Sequence, residues 1–496
     1  MRRLTSFLVC LALIAQGCAT QTLYPESSLE TEDAACLRWL ENIDAKLAEH
    51  NLEDAGTVRI AGFPHLRIDR FLASLSNRAM TDQNAFAQWL ENLRRLDEKA
   101  RQPEFANLPA AHKSALMSEL PQGESFGQGV QRCGKRLANL NLKAPGHQRL
   151  LLQRAKVPDA YQTWKRAAGV YALTQYAAAA GIERLHRKLN ESFQQPQAQQ
   201  PVQGRLIRYA APQTTSLAAA DIAAILRPAY GNPLAIPSLA PAQLQRLLER
   251  FAPLWEIDTR NDNDKIGTVM LDTEGQPRID TAKPAVYTRH AFAHLHGRTL
   301  LQLVYQIWLP AREKTGLFDL YGGPLDSVIW RVTLSPEGSP IAFDSMHGCG
   351  CYYLLFPGPG YRATAPKDGA EPVLSPMSIP EIPSDKRLLL RLAARTHYLQ
   401  QLAVVPDTPD NTARRYAWQE SEWLRSMPLQ EDGAWRSLFG ADGIINASRR
   451  AERFLFWPFG VASPDAMRQW GTHAIAFIGR RHFDDPFLLE KLLARE

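Results

Sequence analysis

"AVYTRHAFAHLHGRTLLQLVYQIWL", residues 285–309, decides the fold. Apolar and polar residues alternate on either side of His296-Gly297-Arg298, which predicts two β-strands joined by a tight turn. His290 and His294 have the spacing of a zinc-protease helix, but Ala291 stands where the catalytic glutamate belongs. On a strand the two rings lie about 13 Å apart. His290, His294 and His296 therefore read as polar positions on a hairpin. The flanking stretches "IGTVMLDTEGQPRID" (266–280) and "SVIWRVTLSPEGSPIAFDSM" (327–346) alternate in the same way around glycine-containing turns. Together they predict an antiparallel sheet over 256–356.

Upstream, residues 29–193 read as helical. "TDQNAFAQWLENLRRLDEK" opens on a Thr-Asp start signal and sets Phe86, Leu90 and Leu93 on one face. Pro158 is expected to begin a new helix, and the Ala-rich stretch from Ala167 onward to form a packed one. Cys36 falls in register with Leu40, Ile43 and Leu47, and Cys133 with Val130, Leu137 and Leu140. Both thiols thus point from apolar helix faces, and a Cys36–Cys133 disulfide is predicted. Arg67, Asp69 and Arg70 form either a salt-bridged corner or a ligand-facing group. The Gln/Pro-rich 194–203 reads as a linker and 204–255 as a segment with short helices. Residues 357–383 hold seven prolines and read as an extended loop. Residues 384–496 read as a mixed lobe, with a hairpin and a helix both open for 386–405. The fold class is α+β: a helical N-terminal domain, then an antiparallel β-sheet domain with a mixed C-terminal lobe.

The chain begins with Arg2 and Arg3 ahead of a short apolar run, the pattern of an export signal over 1–17. The run is shorter than the ~20 residues needed to span a bilayer. Ile14-Ala15-Gln16-Gly17-Cys18 resembles the lipobox of bacterial lipoproteins. The resemblance covers residues 1–20. It implies cleavage before Cys18, acylation of that thiol with fatty chains such as palmitate, and a short tether over 18–28. Ala19, rather than Asp, after the cysteine implies the outer membrane, facing the periplasm. A multiply acylated cysteine anchors stably, at about 0.8 kcal/mol per buried methylene.

The 496 residues are 45% hydrophobic and 22% charged, an ordinary globular composition. Two charges of the formal +6 leave with Arg2 and Arg3, and acidic and basic residues are interspersed. Together with export this excludes a nucleic-acid partner. G-x-S-x-G, Walker A and G-x-G-x-x-G signatures are absent from the sequence.

Two clusters carry candidate chemistry. In "DSMHGCGCYYLLFP" (344–357), His347, Cys349 and Cys351 suit zinc or copper(I) by ligand type. Straight strand geometry separates residues i and i+4 by about 13 Å, so three ligands converge only if the chain curls at Gly348 and Gly350. A local Cys349–Cys351 disulfide and a crowded strand with small side chains are the other two readings. Asp344, Ser345 and His347 do not form a hydrolase triad, because neighbours on one strand alternate faces. The second cluster is His473, His482, Asp484 and Asp485. It fits a divalent ion, or ion pairs with Arg480 and Arg481 and a helix start at Asp485-Pro486. Its arginine-rich surface also suits an anionic or glycan ligand. The function expected is a lipid-anchored envelope protein with a periplasmic binding or structural role, toward an envelope protein or such a ligand. The alternatives are a metal-dependent envelope hydrolase and a copper- or redox-handling protein using the C-x-C pair.

Overall fold

The computed structural model describes Tyr24 and residues 29–496, except 213–215, 317, 367–368, 409 and 430–432. The export signal, Cys18 and nearly all of the tether lie outside the described residues. Among the described residues no helix is long and apolar enough to cross a membrane.

The N-terminal part is helical around one small hairpin. Helices α1 (Thr31–His50), α2 (Gln83–Asn107) and α3 (Phe126–Lys143) pack around β1 (Val58–Ile60) and β2 (Phe63–Ile68). Asp82 caps α2 by accepting from the Asn84 and Ala85 amides, as the Thr-Asp signal predicts. The Cys36 and Cys133 sulfurs lie 2.04 Å apart and join α1 to α3. Arg67 is buried on β2, bonded to Asp97 (3.0 Å) and twice to Glu104 (2.9 and 2.6 Å) of α2. Asp69 instead caps the short helix Arg70–Ser74, and Arg70 reaches Asp484 at 3.2 Å. The expected corner is therefore salt-bridged, but to distant elements rather than within itself.

Two sheets form the rest of the core. Strands β3 (Arg205–Ala210) and β4 (Leu254–Thr259) flank helices α5 (Ala219–Ala229) and α6 (Pro241–Phe251) in sequence. A short hairpin, β5 (Thr268–Leu271) and β6 (Pro277–Asp280), follows. Then come β7 (Ala285–Leu295), β8 (Arg298–Arg312), β9 (Gly323–Leu334), β10 (Pro340–His347), β11 (Leu354–Pro357) and β12 (Tyr361–Ala363). Next are β13 (Lys386–Leu392), β14 (Leu399–Pro406), β15 (Arg414–Arg415) and β16 (Ala417–Glu420), followed by three short strands, Met427–Pro428, Trp435–Arg436 and Leu493–Arg495, the last paired with β12. One sheet has the order β11-β10-β9-β8-β7-β16 and the other β14-β13-β4-β3-β15. The 386–405 stretch is thus a hairpin. Strand β4 leaves the sheet predicted over 256–356, because it pairs in parallel with β13 of the other sheet.

Strand β8 shows why its sequence is nearly all apolar. Leu301, Leu303, Tyr305, Ile307 and Leu309 face the core shared with Ile207, Trp255 and Leu390 of the second sheet. Leu300 and Val304 on its other face pack against the C-terminal lobe. Both faces are covered, so the polar half of the alternation shrinks to residues such as Gln302, which bonds Thr333 at 3.1 Å.

Two expectations fail in the segment leading to this core. Residues after Pro158 run extended, and the next helix is Thr163–Ala168. The Gln/Pro stretch is no free linker, since Arg391 and Gln401 bond the Gln197 and Gln195 carbonyls and Gln200 is buried.

The Cys36–Cys133 bond closes a loop of 97 residues. Replacing both by alanine is expected to lower stability by about 2–5 kcal/mol, read as a lower urea midpoint with unchanged secondary structure by circular dichroism.

Candidate functional site

The HGCGC stretch is a turn, not a straight strand. The Gly350 amide donates to the His347 carbonyl (2.8 Å) and the His347 amide to the Cys351 carbonyl (2.9 Å). Gly350 has φ +89°, and a Cβ there would lie 2.6 Å from the Ala474 carbonyl oxygen. A Cβ on Gly348 would lie 2.6 Å from Ser327 Oγ. Both glycines are therefore demanded by the backbone or by what crosses it. Arg468 N–H donates to the Gly348 carbonyl at 3.1 Å, and His473 Nε2 lies 3.1 Å from the same oxygen. Burial, then Arg468, pushes His473 down to about 3, so it stays neutral and buttresses the turn.

The curl brings the thiols to a partner that the sequence does not single out. Cys349 Sγ, Cys351 Sγ and an Asp465 oxygen all lie within 4.8 Å of one another. Cys349 and Cys351 are free thiols, so the local disulfide is not formed. Asp465 is buried and paired with Arg450 Nη1 at 3.2 Å. Glu452 hydrogen-bonds to Asp465, and burial together with that neighbouring charge pushes its carboxyl up to about 10. At neutral pH Glu452 is thus a hydrogen-bond donor. The Cys351 thiol is raised well above its ordinary range by its hydrogen bond with Cys349 and by burial.

His347 does not join the thiols, which corrects the three-ligand reading. Its Nδ1 lies 3.3 Å from Asp326 Oδ1, and its ring packs on Tyr352 and Tyr398. Asp326 Oδ2 lies 2.8 Å from His397 Nδ1, whose Nε2 is 3.2 Å from Asp264 Oδ1. Arg450 Nη2 stands 3.8 Å from Asp326, so one guanidinium links this buried chain to the thiol floor. A chamber of about 10 Å³, roughly the room for one water, adjoins His347 and Ser345.

The second cluster does not converge either. His482 Nε2 sits 3.2 Å from Asp159, Asp484 pairs with Arg70, and Asp485 accepts from the Phe487 amide (2.9 Å) and Lys491 (2.6 Å). Asp485 thus holds the turn ahead of the last helix, Leu488–Leu492, which starts later than expected, with Phe487 at its N-cap and no side-chain cap. Arg480 binds Asp159 and Arg481 the Glu371 carbonyl, so neither pairs with Asp484 or Asp485. Both arginines of the surface expected to suit an anionic or glycan ligand thus have partners within the fold.

Above the thiol floor is a cavity of about 650 Å³. Its roof is the helix Tyr171–Gln194, here α4. The helix is pinned at its start, where Tyr171 Oη accepts from Gly479 N (2.8 Å). Just before it, Arg166 donates to the Phe459 and Gly479 carbonyls. Near its end Phe193 packs on Phe356, with ring centroids 5.7 Å apart. Between the pins Thr174, Ala177, Ala178 and Gly181 face the cavity. Only Leu189 of this helix is fully buried; Leu185 and Phe193 pack with it on the core, while the N-terminal half stands over the cavity, so the expected packed helix is packed over part of its length. Phe456, Phe459 and Phe477 of the C-terminal lobe form the facing wall.

Backbone strain gathers around this floor. Ten described non-glycine residues have positive φ, and Leu325, Tyr352, Arg395, His397, Ser463 and Asp465 lie in or beside it. Each costs of order 1–3 kcal/mol, and such residues cluster at functional sites. No known protein family, curated protein or solved structure matches this chain.

Burial alone would lower the His397 imidazole, but hydrogen bonds to Asp264 and Asp326 raise it. Burial alone would raise Asp326, but the charge and hydrogen bond of His347, then His397 and Arg450, hold it well below the carboxylate range. The His397 contribution is complete below its unfolded value of about 6.5 and is lost as pH rises through the folded value. The Asp326 contribution is present above about 3.9 and is lost as pH falls below it. Stability is expected to peak between these limits. In His397→Asn the fall above pH ~6.5 becomes shallower in a plot of urea midpoint against pH, the remainder coming from groups such as Glu452 that hold their proton more tightly in the fold.

Proposed function

We propose that the chain is a lipid-anchored envelope protein that binds an amphipathic small molecule in the cavity beneath α4. The anchor and the outer-membrane placement rest on the lipobox resemblance. The binding role rests on one observation: a mostly apolar cavity of about 650 Å³ carries a few polar groups, Thr174, Arg184 and His186 on the roof helix and Glu452 and Asp465 at the floor. Ligand sites typically run to about 300–1,000 Å³ and combine an apolar lining with a few placed polar groups. Here the phenylalanine wall and α4 take the apolar body. Glu452, its proton already shared with Asp465, and Asp465 itself offer acceptor oxygens to the polar end.

Gly181 supports this reading. It stands inside a helix, where glycine costs about 1 kcal/mol against alanine. No close neighbour requires it, because a Cβ there would meet nothing within 4 Å. What its smallness preserves is the space below.

The test uses N-phenyl-1-naphthylamine as an apolar fluorescent probe. Wild type is expected to bind it saturably. Gly181→Trp should bind at least tenfold more weakly while its melting temperature holds or rises, with Gly181→Ala as the conservative control. Equal probe affinity in wild type and Gly181→Trp contradicts the assignment.

A further inference from the structure

We infer that Cys349, Cys351 and Asp465 form a zinc site whose fourth position opens into the cavity. The inference deepens the binding proposal by giving the ligand's polar end a metal to meet, and it rests on that reading only for the open position.

Geometry carries it first. Tetrahedral zinc with Zn–S near 2.3 Å and Zn–O near 2.0–2.2 Å sets its ligands about 3.4–3.8 Å apart. Cys351 Sγ and Asp465 Oδ1 are already 3.8 Å apart. All three donor atoms lie within 4.8 Å of one another, so closing on an ion takes side-chain shifts and no backbone rebuilding. The backbone is already committed, since Gly350 (φ +89°) and Asp465 (φ +66°) hold left-handed conformations that aim these donors at one another.

Charge and donor type carry it second. Two thiolates and one carboxylate bring three negative charges into a buried place. Zinc supplies two positive charges and Arg450, 3.2 Å from Asp465 Oδ2, supplies the third. Arg450 takes Oδ2 and leaves Oδ1 to the ion. Glu452, bonded to Asp465, would orient it as outer partners of metal ligands do. A mixed sulfur and oxygen set suits zinc, whereas copper(I) selects the sulfurs alone. Both thiols and both carboxyl-bearing residues line the cavity, so three protein ligands leave one position facing it, as in zinc sites that keep an exchangeable ligand.

The experiment titrates the reduced full chain with zinc against a chromophoric chelator, and with cobalt(II) as a spectroscopic stand-in. One equivalent is expected, with thiolate-to-cobalt charge-transfer bands and the intense d–d bands of a tetrahedral site. Asp465→Asn should weaken zinc by at least about tenfold through loss of a ligand charge, and Cys349→Ser or Cys351→Ser should weaken the charge-transfer bands, which the double variant loses. His347→Gln should leave stoichiometry and spectrum unchanged. The wild-type cobalt spectrum keeps the test decisive if a cysteine variant fails to fold. Less than about 0.1 equivalent of zinc, an octahedral spectrum, an affinity indifferent to Asp465→Asn, or conversion of the reduced thiols to a disulfide that excludes metal overturns the inference. Gly181→Trp separates the two proposals: it should lose the naphthylamine probe and still bind zinc.

Discussion

Everything at this site depends on one close approach: the Gly350 backbone passing the Ala474 carbonyl where no side chain fits. Because Gly350 is also left-handed, the chain leaving β10 turns at once instead of continuing as a strand. Gly348 permits the matching approach to Ser327. The turn then does two things together. It sends His347 toward the buried aspartates between the sheets, and it sends Cys349 and Cys351 the other way, toward Asp465 and the cavity. One residue substituted at Gly350 would separate both groups from their partners.

Arg450 is the electrostatic counterpart of that turn. It stands between Asp326 and Asp465, so the carboxylates on either side share one buried cation. Buried charges persist when they are paired and hydrogen-bonded, and here the pairs also force unusual backbone at Leu325, His397 and Asp465. The two sheets hold that strain in place. Their shared core contains fully buried residues such as Tyr305, Ile307, Val332 and Leu390, and β15 and β16 bind the edges of both sheets in succession.

Local patterns in the sequence made much of this legible. The period of two in 285–309, the Thr-Asp helix start before α2, and the helical spacing of Cys36 and Cys133 all act over a few residues, and the structure shows strands, a capped helix and sulfurs at bonding distance there. The bend at Gly348 and Gly350 was also visible as a possibility, because glycine pairs mark where a chain can curl. Its partner was not. Asp465 lies 114 residues beyond Cys351, in a stretch with no metal-ligand spacing, so only tertiary folding joins them. Strand β4 changed sheets for a similar reason, since parallel pairing with β13 leaves no local mark. The face of α4 misled in another way. Small residues at helical spacing look alike whether they pack on a neighbour or roof a cavity.

The central claim is that the space beneath α4 is kept open for an amphipathic molecule. It is tested most directly by native mass spectrometry of the full-length protein purified gently from the cells that make it. The account predicts a bound small molecule whose volume fits about 650 Å³, present on wild type and absent from Gly181→Trp prepared in parallel. Wild type that carries no such molecule and takes up none from a membrane extract, or a molecule retained equally by Gly181→Trp, would contradict it.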